Sequence, residues 1–462
     1  MDMTRREFLA GGVLALGSLM AAGRSTPEGA TPPARRLAIG IISDLHIDKN
    51  AAVLQKLERA LAFFRNEKVD GVLIPGDIAD NGLAMQLEEL AIAWEKIFPD
   101  SKGSDGRAVE KLFLYGDHDN RGRWMDGELE RIKKSYNLSG RELADNAIFT
   151  HPEEHWRRIF KEPYSPIVHK RVRGYDFVLA HFNPQARNQT PGLREFLSYL
   201  SLDPSKPFFY AQHRVPRNTA CGPGAWGQDD GSAGEVLSAY PNAVAFCGHG
   251  HQTAVREDSI WQGAFTAIEV PSLKYVTHEA DHANNPNGAL AEQGLVMSVY
   301  DGFIKIDRLD FTSATPLAQP WIVPLAPGKF NRETRRQNAI APQFPPAAKL
   351  DAAIKSQTIC LSFPVAGGLN GGVRAYDYEA TVYAIRFGGN VQSETRRFFS
   401  PKCDLAASAE PEKMTVDFPL DAFKPDCLPA SKHDGALHIE VRPREIFGGT
   451  GRPITSDIPF LT

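Results

Sequence analysis

The sequence predicts an α/β domain followed by a smaller all-β domain. Three observations carry this. Short apolar runs alternate with amphipathic runs of helical spacing through the first part of the chain. A stretch with seven prolines between Pro316 and Pro346 then interrupts the pattern. Beyond it, apolar residues alternate with polar ones at a period of two, as in half-buried strands.

The chain has 462 residues, enough for more than one domain. Its hydrophobic content of 42% is that of an ordinary globular protein. A net charge of −4 gives no chain-wide attraction to nucleic acid or to an anionic membrane. The basic run Arg332 to Arg336 is broken by Glu333 and reads as a solvated face.

Residues 1–30 read as an export signal. Thr4-Arg5-Arg6-Glu7-Phe8-Leu9 precedes a weakly apolar run from Gly11 to Gly23. The paired arginines followed by Phe-Leu resemble the twin-arginine type. That implies the twin-arginine export machinery as a partner and a periplasmic or extracellular location. The apolar run is short and glycine-rich and no cysteine follows it, so no stable membrane anchor is expected.

Residues 36–312 form the expected α/β domain. Leu37 to Ile42, Gly71 to Ile74 and Leu112 to Tyr115 are strand candidates, with helical spacing over Ala51 to Val69 and Leu83 to Phe98 between them. Arg121 to Gly174 reads as a helical insertion. Strand candidates resume at Phe177 to Ala180, Pro207 to Ala211 and Val244 to Cys247. Phe265 to Val270 and Leu295 to Tyr300 are expected to complete a second sheet. Residues 313–354 read as a proline-rich linker. Residues 355–462 read as a β-sandwich-like domain, from the alternation of Tyr376, Tyr378, Ala380 and Val382, of Met414, Val416 and Phe418, and of Leu437, Ile439 and Val441.

Five cysteines leave at least one unpaired. Cys247, inside an apolar strand, reads as a buried thiol. Cys403 and Cys427 are a candidate disulfide in an oxidising compartment.

Chemistry concentrates at the ends of the strands. Asp44-Leu45-His46 follows the first, Gly76-Asp77 the second, and Gly116-Asp117-His118-Asp119 the third. His213 follows a later strand, and Gly248-His249-Gly250-His251 another. Aspartate and imidazole together suit borderline divalent metals. A sheet that delivers them to one edge makes a metal-dependent hydrolase. Two metals about 3.5–4 Å apart acidify a bridging water and offset charge on a phosphoryl group.

This ordered set resembles the calcineurin-like metallophosphoesterase family. The resemblance implies a four-layer α/β/β/α sandwich and two divalent ions, Mn, Zn or Fe. It implies Asp44, His46 and His251 at one metal, Asp77 as the bridge, and Asp117, His213 and His249 at the second. His118 is expected near the leaving group as proton donor or electrostatic stabiliser, with Asp119 orienting its ring. Asp117 stands where the family usually has asparagine. Asp80 stands where purple acid phosphatases have an iron-binding tyrosine, so a tyrosinate–iron site is not expected. GDHDNR at Gly116 to Arg121 resembles the phosphodiesterase members and tilts the reading slightly toward diesters.

The implied activity is metal-dependent hydrolysis of a small phosphoester, with a metal-bridging hydroxide as nucleophile. A phosphomonoesterase or nucleotidase, and a non-catalytic metal-containing envelope protein, stay open. Other residues carry blander readings. His181 reads as a buried structural histidine, and His278 and His282 as loop residues. Trp124 and Trp156 read as core of the insertion. Trp226, Gln228, Asp229 and Asp230 lie in a loop where substrate contact and plain surface are evenly matched. Arg214 meets either a phosphate oxygen or a surface acid.

Overall fold

The computed structural model describes residues 33–122, 127–183, 192–277, 288–325, 340–367, 375–387, 391–400, 412–424, 428, 433, 435–445 and 447–459. The expected signal segment 1–30, Trp124, His278, His282, Arg332 to Arg336, Cys403 and Cys427 lie outside them. The chain divides into two compact units.

The first unit holds two six-stranded sheets. Its strands are β1 (Leu37–Ile41), β2 (Gly71–Pro75), β3 (Glu110–Leu114), β4 (Ile167–Val172), β5 (Tyr175–Ala180) and β6 (Phe208–Ala211). They continue as β7 (Ala243–Cys247), β8 (Ile260–Gln262), β9 (Thr266–Glu269), β10 (Gln293–Val299), β11 (Phe303–Asp310) and β12 (Thr315–Pro324). One sheet runs β12-β11-β10-β1-β2-β3 and the other β4-β5-β6-β7-β9-β8. Strands β1, β2 and β3 are parallel, as are β5, β6, β7 and β9. Near-continuous Val, Ile, Leu and Phe in these strands is what a sheet buried on both faces requires.

Helices link the parallel strands. Helix α1 (Ala51–Asn66) follows β1 and buries Val53, Leu57, Ala60, Leu61 and Phe64, spaced three and four apart. Asn50 caps it, its side chain accepting from the Ala52 amide. Helix α2 (Ala84–Ile97) links β2 to β3 and packs Leu87, Leu90 and Trp94 into the same core. The insertion supplies α3 (Glu128–Tyr136), α4 (Gly140–Asn146) and α5 (Pro152–Phe160). Trp156 is core there, edge-on to Tyr115 and Phe160. On the other sheet, α6 (Leu193–Tyr199) and α7 (Ser232–Leu237) cover a separate cluster built on Val178, Tyr210 and Ala245. No helix among the described residues is long and apolar enough to cross a membrane.

Two expectations are corrected. Strand β10, expected to complete the second sheet, pairs antiparallel with β1 in the first. Residues 315–324, expected to be linker, form β12 despite Pro316, Pro320 and Pro324. The strand lies at a sheet edge, where proline is tolerated because an amide on the outer side has no ladder bond to make. Its pairing with β11 also shifts register between Ile306 and Leu309, as edge strands with irregular spacing do.

The second unit includes seven strands: β13 (Asp351–Lys355), β14 (Thr358–Pro364), β15 (Asp377–Arg386), β16 (Val391–Phe399), β17 (Lys413–Pro419), β18 (Gly435–Arg444) and β19 (Ile454–Pro459). All pair antiparallel, as β13-β14-β17 and β16-β15-β18-β19. Ile359, Leu361 and Phe363 of one sheet share a core with Tyr378, Ala380, Val382, Leu437, Ile439 and Val441 of the other. The period-two pattern therefore marks an all-β region.

His181, just after β5, is structural as expected. Its Nδ1 accepts the Tyr115 amide at 3.0 Å, and Trp156, Tyr164 and Tyr115 surround the ring. Burial pushes its pKa down to about 3. The unfolded chain therefore takes up a proton between the ordinary value near 6.5 and 3, and the folded chain does not. This contribution to stability is present above pH 6.5 and is lost as pH falls toward 3. Replacing His181→Gln should flatten the acid limb of the stability curve by up to about 1.4 kcal/mol per pH unit, seen by urea unfolding at stepped pH. Identical acid limbs would contradict the assignment.

Candidate metal centre

Every candidate ligand sits in a loop leaving the carboxyl end of a strand, where open α/β sheets place their sites. Asp44 and His46 follow β1, Asp77 follows β2, Asp117 follows β3, His213 follows β6, and His249 and His251 follow β7. Five of these seven have positive φ: Asp44 (49°), His46 (43°), Asp77 (52°), His249 (74°) and His251 (55°). Left-handed backbone at non-glycine residues is strained and gathers at functional sites. Neighbouring loops hold it in place. The His46 amide donates to the Asp77 carbonyl at 2.9 Å, and the Gly248 amide to the His213 carbonyl at 2.7 Å. Two glycines permit the close approach: a Cβ at Gly116 would strike Asp77, and one at Gly248 would strike Ser43 and Asp44.

The side chains gather in two groups, Asp44 with His46 and His251, and Asp77 with Asp117, His213 and His249. In the first, His46 Nε2 and His251 Nε2 lie 3.0 Å apart, and His251 Nε2 lies 3.1 Å from Asp44 Oδ1. In the second, His213 Nε2 lies 3.2 Å from Asp77 Oδ1 and 3.4 Å from Asp117 Oδ1. Asp77 spans the groups, its Oδ2 being 3.6 Å from His46 Nε2. His213 Nδ1 meets the Pro75 carbonyl at 2.8 Å, which turns Nε2 into the site, where it is buried with no hydrogen-bond partner. Converging carboxylate oxygens and imidazole nitrogens, one of them left unsatisfied, fit a dinuclear divalent metal site.

Burial governs the electrostatics. It alone raises Asp44 and Asp117, but the facing imidazoles outweigh it and hold both carboxyls low. Asp77 is pushed up to about 7, by burial first and by Asp117 as well, with the surrounding histidines opposing. His46 and His249 are driven down to about 3 and about 4 by burial, the neutral state a metal requires. His213 is disfavoured as a cation by burial, yet Asp77 and Asp117 hold its pKa well above the usual range.

His118 lies edge-on to His46, ring centroids 4.4 Å apart, and its amide donates to Asp77 Oδ1 at 2.8 Å. Its Nδ1 is 2.9 Å from both the Asp80 carbonyl oxygen and Arg121 Nη1. Its ring nitrogen also falls within reach of His46 and Asp77, beside the two groups.

The expected role of Asp119 is corrected. Its carboxylate accepts the amides of Gly116 (2.7 Å), Ala79 (2.7 Å) and Ile78 (3.3 Å), and does not meet the His118 ring. Adjacent residues of one tight turn point apart, so the side chain next to His118 in sequence is not next to it in space. Asp119 ties the Asp117 turn to the Asp77 turn. Burial raises its pKa to about 7 against those three amides.

Residues not singled out as functional also support the site. Asp80 Oδ1 stands 3.3 Å from His46 Nδ1, and Lys274 Nζ reaches Asp80 Oδ1 (3.4 Å), Asp48 Oδ2 (2.8 Å) and the His46 carbonyl (3.1 Å). Asp80 was legible only as the residue in the tyrosine position. Lys274 has no local signal, because its partners lie more than 190 residues away. Arg214 joins Asp117 Oδ2 at 2.7 Å, with its guanidinium over Phe182. Asp229 is buried and braces its own loop through the Arg217 and Gly231 amides and Gln212. Gln228 does the same through the Gly222 carbonyl.

The model of the family described as calcineurin-like phosphoesterase matches residues 37–253. Over this region the chain is similar to calcineurin-like phosphoesterases. Solved structures similar to the chain include a dimetal phosphatase from Danio rerio, at 12% identity over 63% of this chain and 100% of that one, TM-score 0.40. A purple acid phosphatase from yellow lupin (Lupinus luteus) seeds is similar at 13% identity over 62% of this chain and 53% of that one, TM-score 0.42. GAP50, the anchor in the inner membrane complex of Plasmodium, is similar at 11% identity over 64% of this chain and 90% of that one, TM-score 0.38. No curated protein matches the chain. The phosphoesterase match ends just past His251 and so takes in all seven candidate ligands.

Two substitutions separate ligation from bracing. Asp117→Ala should weaken the second equivalent of Mn(II) or Zn(II) by about ten-fold or more in calorimetric titration, leaving the first little changed. Unchanged affinity would remove Asp117 from the ligand set. Asp119→Ala strands three buried amides and should cost about 3 kcal/mol of stability or more in the metal-free protein. An unshifted urea midpoint would contradict the bracing role.

Proposed function

We propose that this protein is a metal-dependent phosphoesterase that hydrolyses a small phosphate ester, with a slight preference for diesters. The single observation that carries the reading is Asp77, whose two oxygens face two separate acid–imidazole groups beside His118. The domain is read as a four-layer sandwich, supported by α1 and α2 packing on one sheet and α6 and α7 on the other.

Asp44, His46 and His251 would hold one divalent ion, Asp117, His213 and His249 the second, and Asp77 both. Such ions supply Lewis acidity, which acidifies water and offsets charge on the phosphoryl oxygens. The chain's own residues do the rest. Buried histidines kept neutral present lone pairs rather than protons. Arg214, ion-paired to Asp117, adds fixed positive charge at the second group. His118 Nδ1 donates to the Asp80 carbonyl, to which Arg121 Nη1 also donates, and this leaves Nε2 to serve the leaving oxygen as the P–O bond breaks. The GDHDNR sequence supports the diester preference. A monoesterase is the second reading, and the same assay separates the two.

The test uses protein stripped of metal and reloaded with Mn(II) or Zn(II). Initial rates on bis(p-nitrophenyl) phosphate and p-nitrophenyl phosphate are compared, with His118→Ala as control. The expected result is faster diester cleavage, with kcat lowered by about 10²–10⁴ in the variant at unchanged metal content. Faster monoester cleavage makes the protein a phosphomonoesterase. Fully metal-loaded protein silent on both sinks the enzyme reading in favour of a metal-containing binding protein.

A further inference from the structure

Two exposed aromatic side chains stand on histidines of the site. Trp226 lies parallel to His249, with ring centroids 4.5 Å apart and planes 15° apart, although 51% of the residue is exposed. Tyr275 packs on His251 at 4.4 Å and lies near-parallel to His46 at 6.4 Å, and it is 36% exposed. The pair therefore flanks both groups, one on His249 of the second and one on His46 and His251 of the first.

Neither position is a chance of a loose loop. Gly227 has φ +74°, and a Cβ there would strike the His249 ring, so the backbone passes directly against the imidazole and fixes its neighbour Trp226. The same loop is held from below by buried Asp229, which accepts the Arg217 and Gly231 amides at 2.8 Å and Gln212 Nε2 at 3.0 Å. Tyr275 is held through its amide by Ser272 Oγ, which in turn donates to the Asp44 carbonyl at 3.0 Å. A tryptophan held rigid and half in water leaves apolar area exposed that a ligand can cover at little entropic cost.

We infer that Trp226 and Tyr275 form an aromatic rim that selects phosphoesters carrying a planar aromatic group, a nucleobase or an aryl ring. This rests on the phosphoesterase reading above. The phosphoryl group sits among the ligands, and the organic part extends over the rim, where aromatic faces stack on any flat π-system. Such stacking carries no hydrogen-bond code, so the rim distinguishes flat substituents from alkyl ones rather than one base from another.

The experiment compares wild type, Trp226→Ala and Trp226→Phe as metal-loaded full chains. The rates are kcat/KM on p-nitrophenyl and ethyl p-nitrophenyl esters against the matching glyceryl esters, in the ester class the wild type cleaves. Independently of turnover, binding of adenosine 5′-monophosphate and of ribose 5-phosphate is followed by tryptophan fluorescence and calorimetry. The expected result is that Trp226→Ala loses about ten-fold more on the aromatic than on the alkyl ester, mostly in KM. Adenosine 5′-monophosphate should outbind ribose 5-phosphate by about the same factor in wild type, and Trp226→Phe should restore most of both. Equal losses on both esters at normal metal content would overturn the rim and make Trp226 a support for His249. So would equal affinity for the two ligands. Wild type that binds adenosine 5′-monophosphate preferentially but cleaves nothing would keep the rim and sink the phosphoesterase reading instead.

Discussion

Three carboxylates and four imidazoles are buried against one another at a single place, and much of the surrounding chain is arranged to make that tolerable. Asp44, Asp77 and Asp117 are each 1% exposed or less. A buried charge is costly unless it is paired. Here the pairing is incomplete by design of the ligand set: imidazoles hold Asp44 and Asp117 ionised, while Asp77, flanked by Asp117, stays near 7. Asp77, raised first by burial, is the carboxylate whose two oxygens face both clusters. Divalent cations fit such a centre because they replace shared protons with fixed positive charge.

The backbone carries a matching strain. Left-handed conformations cost roughly 1–2 kcal/mol for a residue with a Cβ, and five of the seven candidate ligands adopt one. They persist because rigid elements over-determine them. Strands β1, β2 and β7 are buried along their whole length, so their exits are fixed. Asp119 then ties the turn after β3 to the turn after β2 through the Ile78 and Ala79 amides, and loop-to-loop bonds join His46 to Asp77 and Gly248 to His213. The site's geometry is therefore a property of the sheet edges more than of the loops that bear the ligands.

The candidate ligand positions were legible as one cluster because each follows an apolar run, and an apolar run of five is long enough to read as a buried strand. Helices α1 and α2 were legible from their three-and-four spacing, and the second unit from its period of two. What escaped depends on long-range pairing. Strand β10 returns to β1 across most of the unit, which no local pattern encodes. Strand β12 hides behind three prolines that only an edge position excuses. Asp119 was given a role by adjacency to His118, whereas its partners are the Gly116 amide of its own turn and the Ile78 and Ala79 amides of the turn after β2. Lys274 and Asp80 form a support around His46 that exists only once β1, β2 and the segment after β9 are brought together.

Arg214 connects these constraints to Asp117. Asp117 adds a full negative charge to a group that already holds Asp77. Left alone, that charge would strengthen cation binding but oppose an incoming phosphate and blunt the acidity a bound ion confers on water. The guanidinium 2.7 Å from Asp117 Oδ2 returns one positive charge to the same place. Aspartate and arginine together thus leave the second group at the net charge a neutral amide would give. They differ from an amide in holding Oδ2 against Arg214 Nη2, whose side chain is 22% exposed, so the compensating charge lies partly in solvent while Oδ1 faces His213. The aspartate is in this sense half of a pair, and its second half sits one residue beyond the candidate ligand His213, at a strand end that the apolar run before it already fixes in place.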